Sequence, residues 1–119
     1  MKDNIVKSKS FAFAVRIVKL YQFLIDSKNE FVLSKQLLRS GTSVGAMVRE
    51  AENGETKPDF IHKMAIAQKE INETLYWLEL LAETNYLTKE QFESINADAE
   101  ELIKLVTAII KSTKANMKN

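Results

Sequence analysis

Few residues in this chain have the types and spacing to do chemistry. Its single histidine, His62, follows Asp59 at the acid-x-x-histidine spacing found in helix-bundle metal centres. Such a centre draws several inward carboxylates and usually two such pairs from different helices, so one fragment is expected to be an exposed histidine beside a capping acid. No metal or other cofactor is expected. Glu70 and Glu73, on adjoining helical turns, have the look of an acid–base pair, yet a structural role is the expectation. Cysteine is absent, which removes thiolate metal sites, disulfides and cysteine nucleophiles. A serine triad would depend on the same histidine, and a phosphate loop needs a glycine-rich turn after a strand. What remains is the chemistry of positive charge. Lys7, Lys9, Arg16, Lys19 and Lys35, with the tail residues Lys111, Lys114 and Lys118, are the candidates for contacting RNA or DNA phosphates.

The elements that must position these residues follow from composition and pattern. At 119 residues, 45% hydrophobic, the chain is the size of one domain with one core, spanning residues 1–119. The polar start, Met1 to Ser10, does not read as a signal peptide, and no apolar run approaches the ~20 residues of a membrane span. A soluble, cytoplasmic protein without membrane contact is expected. Three glycines and one proline are too few for a turn-rich β fold and favour helices.

Capping chemistry divides the chain. Asp26 to Glu30 is a polar break. At Asn53 to Asp59, Gly54 suits the left-handed position after a helix, Thr56 can cap the next one, and Pro58 fits its first turn. At the third break Thr88 and Gln91 form a capping box, with Leu87 and Phe92 spaced as a hydrophobic staple. The expected helices are 8–27, 31–53, 57–84 and 89–114, and short connections make them an all-α, antiparallel up-down-up-down four-helix bundle.

Two segments have consequences beyond the fold. The first carries two apolar seams, Phe11, Ala14, Val18, Tyr21, Ile25 and Phe13, Ile17, Leu20, Leu24, whereas a bundle core needs one seam per helix. The second seam calls for a partner, and Phe11, Phe13 and Tyr21 are the aromatics expected to form an exposed patch. The second segment contains Ser40 to Ala46, a loop by propensity, here read as continuous helix. Gly41 and Gly45 then form a flat strip one turn apart for close helix packing. With the second and third helices antiparallel about residues 53–58, Arg39 faces Glu70 and Glu73 as a structural ion pair, expected to be largely shielded from solvent.

Ser34 to Ala46, Glu50-Ala51, Asp59-Phe60-Ile61 and Glu73 to Leu78 resemble the four helix bundle protein family whose founding members are encoded by intervening sequences in bacterial 23S rRNA genes. The resemblance runs from about Ser10 to Lys111. It implies a bundle assembled into a ring, typically a homopentamer, similar in fold to the accessory protein of diversity-generating retroelements, which binds nucleic acid and a reverse transcriptase. Most members carry no assigned biochemical activity. Met47 stands where the family pattern usually has Asn, so any polar role of that Asn is missing here.

Charge is segregated although the net charge is only +1. Residues through Arg49 carry nine basic and three acidic groups, Glu50 to Glu101 four and thirteen, and Leu102 onward four and none. Repeated around a ring, such basic pieces would multiply a weak phosphate-binding surface, while a pI of 7.9 falls below the ~9 expected of a strong nucleic-acid binder. The expectation is therefore a non-catalytic oligomer that binds RNA, DNA or a nucleic-acid-bound protein through basic surfaces. The alternative is a structural oligomer or protein–protein adaptor.

Overall fold

The computed structural model describes residues 2–117. Four helices follow one another, α1 (Lys2–Ser27), α2 (Leu33–Glu52), α3 (Lys57–Glu83) and α4 (Lys89–Met117). Each packs on its sequence neighbours and α4 returns to α1, the least closely packed seam. The result is an antiparallel up-down-up-down bundle of 51 × 21 × 20 Å, with α1–α2 and α3–α4 connected at one end and α2–α3 at the other.

The core is a column of aliphatic side chains drawn from one stripe per helix. Phe13, Ile17 and Leu24 of α1 meet Leu37, Val44 and Val48 of α2, with Met64, Ile71 and Leu78 of α3 and Leu102 and Val106 of α4. Val6 is buried too, and α1 begins well before residue 8. The polar composition of the first ten residues conceals the step Val6, Ser10, Phe13, Ile17, which continues the buried stripe.

α2 runs unbroken through Ser40 to Ala46. Ser40, Thr42 and Ser43 turn their hydroxyls back onto the carbonyls of Leu37, Leu38 and Arg39, so these polar side chains are satisfied inside the helix. Ser40 also meets Thr74 of α3, Oγ to Oγ1 2.9 Å, in a buried polar contact. On the other side the glycines admit α1. A Cβ on Gly41 would fall 2.7–2.9 Å from three atoms of the Ile17 side chain, and one on Gly45 3.3 Å from the Ser10 carbonyl oxygen. Met47 is partly buried against the core, an apolar use of its position.

The helix ends are fixed by specific bonds. Thr88 and Gln91 exchange a capping box, Gln91 Oε1 accepting from the Thr88 N–H at 2.9 Å and Thr88 Oγ1 from the Gln91 N–H at 3.1 Å. Thr56 caps α3 by accepting from the Asp59 N–H. Gly54 departs from expectation, since no described glycine has positive φ. Its smallness serves close approach, because a Cβ there would lie 3.1 Å from the Ala51 carbonyl oxygen. The left-handed residues are Asn29 and Asn85. Asn85 ends α3 in a Schellman arrangement, its N–H bonding Ala82 and the Tyr86 N–H bonding Leu81.

Candidate functional site

The first turn of α2 holds a buried carboxylate. Glu30, 7% exposed, accepts from the N–H groups of Val32 (3.1 Å), Leu33 (3.0 Å) and Ser34 (2.6 Å), while the Ser34 hydroxyl donates to the Glu30 carbonyl oxygen. Burial pushes this carboxyl upward. The bonds from Leu33, Ser34 and Val32 and the Ser34 hydroxyl outweigh it and hold Glu30 below the ordinary carboxylate range. Three backbone donors converging on one anion at a helix start are already satisfied by it, so the arrangement is a cap and holds no open position for a ligand.

Arg39 lies on α2 facing α3, with Nη1 3.3 Å from Glu70 Oε1 and Nη2 in contact with Glu73 Oε2. Trp77 Nε1 donates to the same Glu73 oxygen at 3.0 Å and Tyr76 meets Trp77 edge-on. Arg39 is not shielded as expected, for its side chain is 48% exposed, while Glu70 and Glu73 beside it are largely covered. The reason is angular. Ser40, one residue on, takes the inward position against Thr74 and leaves Arg39 on the outer flank of the α2–α3 seam.

The predicted phosphate-binding residues do not converge on one patch. Lys7 pairs with Glu52 at 3.3 Å, Lys9 with Glu101 at 3.1 Å, and Arg16 with Asp98 at 2.6 Å while also donating to the Ser94 hydroxyl. The basic α1 thus meets acidic α2 and α4 positions within one protomer. Lys19 and Lys35 are exposed without a carboxylate within ion-pair distance among the described residues, as are Lys111 and Lys114 toward the opposite end. Lys118 lies outside the described residues. Between α1 and α4 an open groove of about 480 Å³ is lined by Arg16, Lys19, Leu20, Phe23, Glu90 and Ile95. His62 and Asp59 are exposed, and no metal-holding group of three or more His, Asp or Glu occurs among the described residues.

The outer flank of α1 carries exposed apolar side chains. Phe13 faces the core and does not join it, and Tyr21 is partly buried, but Phe11 is 55% exposed and the exposed Val15 and Val18 share its face of the helix. The Arg49 guanidinium lies over the Phe11 ring, 5.2 Å from its centre. Composition gave no sign of the Glu30 cap. Its signal was a carboxylate four residues before a serine at a helix start.

Residues 2–108 match the model of the 23S rRNA-intervening sequence protein family. The chain belongs to this family. A solved structure of a Bacteroides thetaiotaomicron protein of unknown function, assigned to the S23 ribosomal protein family, is similar to this intervening-sequence protein with a TM-score of 0.92. The two are 62% identical, over 93% of this chain and 99% of that one. No protein of curated function matches the chain. As in that relative, the family's fold here is the whole bundle. No helix among its described residues is long and apolar enough to cross a membrane.

Proposed function

We propose that this chain is a non-catalytic assembly protein, a four-helix bundle that self-associates through the outer flank of α1 and offers repeated basic side chains to RNA. The observation that carries this reading is the second apolar seam of α1, left uncovered at Phe11, Val15 and Val18 after the first has filled the core. A heterologous contact through such a flank closes into a ring, and the homopentamer implied by the family resemblance is the assembly we propose. Around it Lys19, Lys35, Lys111 and Lys114, all exposed, recur once per protomer. Contacts too weak singly then add by avidity. The Bacteroides relative's place in the S23 ribosomal protein family agrees with an RNA-associated role.

One observation favours a second reading, that of a structural oligomer or adaptor without nucleic acid. Lys7, Lys9 and Arg16 already face carboxylates of their own chain. The two readings separate in one experiment, retention of unrelated single-stranded RNA by the purified chain across a salt series, with mass measured by sedimentation. The RNA reading expects an oligomer whose RNA affinity falls steeply as salt rises. Oligomer without RNA retention at low salt supports the adaptor, and a 13.6 kDa species alone refutes both.

A further inference from the structure

The most exposed large apolar side chain is not on the α1 flank but at a corner of the bundle. In the α1–α2 connection Val32 is 71% exposed and its neighbour Phe31 53%. Lys28 and Lys35 stand on either side of the pair in sequence, Lys28 with its ammonium 5.9 Å from the centre of the Phe23 ring, and neither lies within ion-pair distance of a carboxylate among the described residues. The backbone beneath is fixed, with Asn29 left-handed at φ 53° and the Val32 N–H held by Glu30. This is a built apolar tip with a positive rim.

The opposite edge of the same end carries its complement. At the α3–α4 connection an open pocket of about 630 Å³ is bounded by Glu79, Ala82, Glu83, Leu87, Lys89 and Phe92. Ala82, Leu87 and Phe92 give it an apolar part, Asn85 and Thr88 a polar one, and on its rim the exposed Glu79 and Glu83 have no cation within ion-pair distance among the described residues and outnumber Lys89. We infer that this pocket receives a second copy of the chain, whose Phe31–Val32 tip enters between α3 and α4 with Lys28 and Lys35 against Glu79 and Glu83.

Symmetry supports the choice of occupant. The α1–α2 and α3–α4 connections lie on opposite edges of one bundle end. A two-fold axis perpendicular to the bundle therefore carries the tip of each copy toward the pocket of the other, and the contact is made twice. A nucleobase is the poorer occupant of the tip, because aliphatic Val32, its more exposed member, has no face on which a base can stack. Two side chains each way make an interface well below the standard size, so the contact is weak and depends on concentration. It is independent of the α1 flank, and rings built through that flank would meet end to end.

The test is sedimentation over a concentration series with the full chain carrying Phe11→Glu and Val15→Glu, which block the flank. The mass should climb from the protomer value of 13.6 kDa toward twice that. Adding Val32→Glu should return it to the protomer value, as should Glu79→Lys with Glu83→Lys. Combining the latter pair with Lys28→Glu and Lys35→Glu should restore the dimer. All these positions are exposed, and unchanged helical circular dichroism controls for folding. A flank-blocked chain that stays monomeric, or a dimer indifferent to every tip and rim substitution, overturns the inference. So do tip variants that keep the wild-type mass but release single-stranded RNA at low salt. If the flank substitutions leave the mass of the wild type unchanged, the flank reading fails alone, and the tip substitutions still decide the end contact.

Discussion

Two acidic clusters decide how single residues contribute to this bundle. Glu30 is the more buried, and its carboxyl is held low by bonds that favour the charged form. Because its folded pKa is depressed, the stabilisation is complete above the unfolded value of ~4.3 and is lost as pH falls through the folded value. Glu30→Gln keeps the length but loses the anion, and should lower stability by about 1 kcal/mol at neutral pH. Thermal unfolding of the two proteins should converge only as pH falls through the depressed folded value of Glu30, below the ordinary carboxylate range, where both side chains are neutral. A difference that stays constant with pH would show that charge at Glu30 contributes nothing. Arg39 stands in the opposite situation. Half exposed, it leaves Glu73 still bonded to Trp77 when removed, so Arg39→Ala should cost about 1 kcal/mol and not the roughly 3 to 5 of a buried pair. The cost should shrink in high salt. A salt-independent loss of several kcal/mol would mean that the pair is effectively dry.

At the scale of the helix, legibility in the sequence depended on whether the signal was periodic. The stripes of α3 and α4 run at steps of three and four, and the Thr88–Gln91 box marks the start of α4 in side-chain chemistry alone. Two ends were hidden. The start of α1 has its buried stripe diluted by lysines, and the glycine at residue 54 invites a left-handed reading that Asn29 and Asn85 take instead. The continuity of α2 turns on hydroxyls, whose back-bonding propensity scales count as a penalty. Its glycines differ in what they face, which gives an ordering. Gly41→Ala drives a methyl into buried, branched Ile17 and should destabilise by about 1–3 kcal/mol even after the helix-propensity gain. Gly45→Ala meets one carbonyl oxygen at 3.3 Å, near the distance of a weak C–H···O contact, and should be close to neutral. Gly45→Leu has no such room and should cost several times more. Thermal midpoints in the reverse order would place the close contact between α1 and α2 at Gly45.

For the whole molecule, the segregation of charge along the sequence has a first use inside the protomer. Antiparallel order lays basic α1 beside acidic stretches of α4 and the end of α2, and Lys9, Arg16 and Lys7 are paired there. Sequence showed the segregation but not this pairing, because which helices are neighbours is a property of the closed bundle. The α1 seam not used by the core is the larger residue of the arrangement, and its fate fixes the quaternary state. Phe11→Glu tests it with little risk to the fold, since the ring is 55% exposed and the new carboxylate would lie beside Arg49, which now covers it. We expect a helical, cooperatively unfolding protein whose stability changes by no more than about 0.5 kcal/mol, apart from what is lost with assembly, and whose sedimenting mass falls sharply. The thermal midpoint of the wild type should rise with protein concentration and that of the variant much less, because association stabilises the folded chain by mass action. A variant with the wild-type mass, or a wild type whose midpoint ignores concentration, would leave the exposed flank of α1 without a role in assembly.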